Sequence, residues 1–105
     1  MRTSYQIYCD YRRAISKASQ LETLATTIRY VGRRYVSEEI ETLSQKWQRD
    51  PINIVRGKGN EIYSGLISEA DRLKSLATTI RRIATRNYNA EMRALELART
   101  RSSSN

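Results

Sequence analysis

Residues 21–29 read Leu21-Glu-Thr-Leu24-Ala-Thr-Thr-Ile28-Arg29, and residues 73–81 read Leu73-Lys-Ser-Leu76-Ala-Thr-Thr-Ile80-Arg81. The two copies are offset by 52 positions. In each, apolar residues recur at steps of three and four, the spacing of one face of an α-helix. The midpoint of Ile28 and Ile80 is position 54. If the chain folds back there, the copies lie abreast and antiparallel, with Ile28 against Ile80 and Glu22 near Arg86. The likeness has two readings as to origin, a duplicated segment or convergent choice of good seam residues, and the antiparallel placement follows from either.

Working outward, the steps from Leu21 through Leu24, Ile28 and Val31 to Tyr35 are three, four, three, four. That is a heptad-like seam. Upstream it is continued by Ile7, Ala14 and Ala18, and downstream by Ile40, Leu43 and Trp47. Thr3 or Ser4 caps the start. Gly32 costs about 1 kcal/mol relative to Ala in a helix interior, yet the periodicity runs on past it, so one helix with a local bend is expected. Pro51 ends it, because the residue before a proline avoids helical backbone. The expected layout is helix one over about 4–50, a connection over about 51–60 (Pro-Ile-Asn-Ile-Val-Arg-Gly-Lys-Gly-Asn), and helix two over about 61–98. A disordered polar tail over 99–105 follows. Helix two carries Ile62, Leu66, Ala70, Leu73, Leu76, Ile80, Ile83, Tyr88, Met92 and Leu95.

Composition agrees with an all-α fold. Of 105 residues, one is Pro, four are Gly and none is Phe. Hydrophobic residues make up 39% and charged residues 29%, which suits thin helix packing better than a broad core. The apolar face of each helix is wider than one seam, so the hairpin is expected to pair with a second one as a homodimer or heterodimer, giving a four-helix bundle. The expected hairpin and dimer seam comprises Leu21, Leu24, Ile28, Val31, Leu73, Leu76, Ile80 and Ile83.

Chemistry is sparse. The absence of His and the single Cys9 exclude a His/Cys metal site, and no cofactor is expected. His is also the usual general base near neutral pH. No Ser sits in a nucleophile elbow, and Arg56-Gly-Lys58-Gly59 lacks the spacing of a phosphate loop. Glu38, Glu39 and Glu41 spread over a solvated helix surface. No enzyme and no small-molecule substrate are expected. There is no membrane-spanning run and no apolar signal stretch. Cys9 is either inert or an interchain bridge.

The net charge is +8, with a pI near 10.1, which points to acidic partners. Residues 1–49 and 50–105 each contribute +4, so no basic arm stands out. Arg29, Arg33 and Arg34 with Arg81, Arg82 and Arg86 would form a belt able to meet phosphates. A basic nucleic-acid-binding module is therefore the alternative function. Interspersed Glu22, Asp71 and Glu91, and the lack of any DNA-binding motif, count against it.

Trp47 near the end of helix one, a short connection, and a second helix closing on Ile83-Ala-x-x-x-Tyr88-x-x-Glu91 resemble the WXG-motif family, the small early-secreted-antigen-like proteins of type VII secretion. The resemblance spans about residues 5–98. Arg49 stands where the family's turn motif has Gly, and Glu91 comes one position earlier than in its Tyr-x-x-x-Asp/Glu export signal. The resemblance implies a non-enzymatic secretion substrate, or a targeting partner of a larger toxin, engaged by a secretion ATPase. It further implies export without a cleaved signal peptide after a cytoplasmic stage. By the same analogy Trp47 and Arg49 form the turn motif, and Tyr88 and Glu91 a C-terminal export signal. Trp47 as a plug closing the loop end, and Tyr88 as ordinary seam packing, are the plain alternatives.

Overall fold

A computed structural model of the chain describes residues 2–46 and 51–104. Trp47 and Arg49, the expected turn motif, lie outside the described residues. Among the described residues the chain is entirely helical apart from Arg2 and Thr3. Helix α1 spans Ser4–Val31, a π-helical stretch spans Gly32–Ser37, α2 spans Glu38–Lys46 and α3 spans Pro51–Ser104.

The start of α1 is a reciprocal cap. The Gln6 backbone N–H donates to Thr3 Oγ1 at 3.2 Å, and the Thr3 N–H donates to Gln6 Oε1 at 2.9 Å. Two amides that the helix cannot satisfy are thereby paired. The threonines of the first repeat fit a helix for a related reason. Thr26 and Thr27 donate their hydroxyls to the carbonyls of Glu22 and Thr23, four residues back, at 3.1 and 3.0 Å.

Residues 51–60 are helix, not a connection. Proline is pre-set for the first helical turn, where its missing N–H costs nothing. Gly57 and Gly59 adopt ordinary helical backbone, with no positive φ. Residues 99–104 are also helical rather than disordered.

Two compact units divide the chain: Met1–Gln20 with Leu76–Asn105, and Leu21–Ser75. In the first, Tyr11 meets Tyr88 with ring centroids 4.9 Å apart, and Arg81 donates to Ser19 at 3.4 Å. In the second, Arg29 pairs with Asp71, and Arg56 Nε donates to Ser44 Oγ at 3.2 Å. Each unit is thus an antiparallel pair of helical segments. The register in both centres on position 50, not 54. Arg81 accordingly meets Ser19, and Glu22 lines a groove with Arg29 and Lys74.

Small residues hold the seams. Ala18, Ala77 and Ala84 are buried in the first unit, and Ala25, Gly32, Gly59 and Ala70 in the second. No large side chain is fully buried among the described residues. Each helix carries these residues at intervals of seven: Ala18, Ala25 and Gly32, then Ala70, Ala77 and Ala84. Such a row lets backbones approach closely, and Ile7 and Ile52 are buried beside it in the same two units. Beyond Gly32 the inward positions Val36, Ile40 and Ser44 step by four. The wider π turn accommodates that change of spacing.

Candidate functional site

Of the expected seam, Leu21, Ile28, Leu73 and Ile80 are half-buried. The other four, Leu24, Val31, Leu76 and Ile83, are exposed. The expected hairpin and dimer seam thus divides into a half-buried set and an exposed set. The reason is register: in α3 the inward row runs through Ala77 and Ala84, one residue after Leu76 and Ile83, so the larger side chains are turned about a quarter of a helical turn outward.

Those outward residues form a row of their own. Leu76, Ile83, Ala90 and Leu97 recur every seven residues within the first unit, and all four are exposed. Leu76, Ile83 and Leu97 keep 48%, 45% and 55% of their surface open. A seven-residue repeat drifts only about 20° per heptad on a straight helix, so the four make one continuous stripe. Leu97 and Ala90 escaped the sequence reading. Their signal was present, seven and fourteen residues beyond Ile83 and Leu76 respectively for Ala90, and one heptad further for Leu97. In the second unit Leu24 and Val31 show the same spacing. Tyr35, Ile54 and Ile62 add an exposed apolar cluster around Gly59 and Ile40.

The structure brings the two expected export-signal residues into one groove of the first unit. Tyr88 is half-buried and leans on Tyr11 at an interplanar angle of 40°. Glu91 accepts from Arg2 at 2.9 Å, and Arg2 also pairs with Asp10. Ala14, Ala84 and Asn87 complete the lining. Tyr88 therefore packs against Tyr11, and the Glu91 side chain stays partly exposed. Outside the groove, the Tyr5 phenol is raised above its usual value. The largest cause is its hydrogen bond with Cys9, then the charge of that thiol when ionised, then slight desolvation.

The expected arginine belt does not assemble in one unit. Arg29, Arg33 and Arg34 belong to the second unit, and Arg81, Arg82 and Arg86 to the first. Arg29 is paired with Asp71 and Arg34 with Glu38, the latter at 3.2 Å. Charge is instead sorted by unit. The first carries ten Lys/Arg against three Asp/Glu, and the second nine against eight. An even split between sequence halves concealed this, because the first unit is built from both chain ends.

No described helix is long and apolar enough to cross a membrane. In comparisons with known proteins, no family model, no curated protein and no solved structure matches this chain.

Proposed function

We propose that this chain is a non-enzymatic helical partner in type VII secretion, exported itself or guiding a larger toxin to the secretion ATPase. In this reading a second helical hairpin docks on the chain to complete a four-helix bundle, and Tyr88 with Glu91 contributes to the export signal. The observation that carries it is the outward stripe Leu76, Ile83, Ala90 and Leu97. A monomeric helix gains nothing from a second apolar row at heptad spacing. A partner helix does, since each apolar knob it covers leaves water. The likeness of the closing segment to WXG-motif proteins supports the export assignment.

An export assay in the native cell tests the signal. Tyr88→Ala and Glu91→Ala are expected to abolish release to the medium. Arg2→Ala breaks the same ion pair but leaves the signal side chains in place, so export is expected to persist. Export that survives the first two substitutions overturns the signal assignment. Docking is tested separately by sedimentation with co-expressed partners: Ile83→Asp is expected to release the partner without loss of helix content.

A further inference from the structure

Six of the first unit's ten basic residues lie on α3, the helix that carries the outward stripe. Neighbours on a helix surface are three or four residues apart. The positions so related to Leu76, Ile83, Ala90 and Leu97 include Arg86 and Arg93, and no Asp or Glu. Arg86 follows Ile83 by three residues, and Arg93 follows Ala90 by three. Both are exposed. Arg82 and Glu96, both exposed, stand further round the same flank, each one residue before a stripe position. Nine of the ten basic residues of this unit are Arg, whose planar guanidinium grips carboxylates in a two-bond fork.

A second copy laid antiparallel on this stripe brings Arg86 and Arg93 of one chain against the same flank of the other. Like charges at an interface select against that pairing. Building on the docking reading above, we infer that the stripe is covered by an amphipathic helix of a different, acidic chain, whose Asp and Glu flank its apolar seam and meet Arg86 and Arg93. The contact is built as in heptad-paired helices, with a central apolar seam giving affinity and flanking charges choosing the partner. Arg2–Glu91 and Arg29–Asp71 pairing leaves this flank unaltered, because neither pair uses Arg86 or Arg93.

Three synthetic amphipathic helices test this, identical in a Leu heptad seam and differing only in flanking residues: Glu, Gln or Lys. Each is titrated calorimetrically against the full chain. The Glu helix is expected to bind about tenfold tighter than the Gln helix, with the advantage fading as salt rises, and the Lys helix weakest. Arg86→Glu with Arg93→Glu reverses the order, and Ile83→Asp with Leu97→Asp removes binding of all three while circular dichroism stays helical. Equal affinity for the Glu and Gln helices overturns the inference. So does a salt-insensitive homodimer of the chain alone that Ile83→Asp dissolves, though that result keeps the docking reading. A chain that stays monomeric and binds no helix overturns both. Tight binding of duplex DNA or of phosphatidylserine vesicles through Arg86 and Arg93, with no binding of the Glu helix, also overturns it.

Discussion

At the scale of single residues, two glycines two positions apart in α3 have opposite reasons to be there. A Cβ built on Gly57 meets nothing within 4 Å, whereas one on Gly59 would lie 1.7 Å from Ile40 Cδ1 and 2.9 Å from its Cγ1. Gly59 is the notch that seats Ile40, and Gly57 is merely a flexible residue in an exposed helix. Gly57→Ala is therefore expected to raise stability by about 0.5–1 kcal/mol in urea denaturation. Gly59→Ala is expected to fall below it by about 1–3 kcal/mol, because Ile40 must abandon its rotamer. Ile40→Ala placed with Gly59→Ala should erase most of that gap. Tyr5 offers a second residue-scale test. Its phenol is raised first by the Cys9 hydrogen bond, so Cys9→Ala removes the main cause and the Tyr5 titration should move down to the ordinary tyrosine range. Carbon-detected NMR of labelled tyrosine ring resonances reads that single site among the seven.

At the scale of elements, the helices were legible and their facing was only half so. Thr3, the steps from Leu21 to Tyr35 and the absence of breakers gave helix one, including its passage through Gly32. The connection expected over 51–60 is helix instead, because a proline that stops one helix can also start the next, and local sequence does not say that it does both. How the expected hairpin and dimer seam divides was not legible, because a hydrophobicity ranking favours Leu and Ile over Ala. In a closely packed pair the inward position goes to whichever residue permits close approach, and Ala18, Ala70 and Ala77 are fully buried while Leu24 and Leu76 stand half open. The adjacent pair Ala77 and Leu76 makes this measurable. Ala77→Leu inserts three carbons into a filled seam and should cost about 1–3 kcal/mol. Leu76→Ala removes the same three carbons yet should change the stability of the isolated chain by only about 0.5 kcal/mol. Thermal melts of the two variants beside the parent decide it. If Leu76→Ala is the more damaging, the seam lies where the sequence alone put it.

At the scale of the whole molecule, what matters is which parts of the chain share a unit. Cationic side chains spread evenly along the sequence become concentrated once Met1–Gln20 and Leu76–Asn105 fold as one unit, which holds +7 of the net +8. The ion pairs within that unit, such as Arg2–Glu91, are partly exposed and worth little individually. Self-repulsion among ten cations facing three carboxylates acts throughout the unit. The balance has a sign that salt can read. Were ion pairing dominant, added salt would screen attraction and lower the melting temperature. Since repulsion outnumbers pairing here, raising sodium chloride from roughly 0.02 M to roughly 0.5 M shortens the Debye length several-fold and should raise it. An acidic helix bound along Arg86 and Arg93 supplies the missing negative charge directly, so the salt effect should shrink or reverse once the Glu-flanked helix is present. A melting temperature that falls with salt in the free chain would show that the exposed pairs outweigh the repulsion, and would remove the electrostatic reason for an acidic partner.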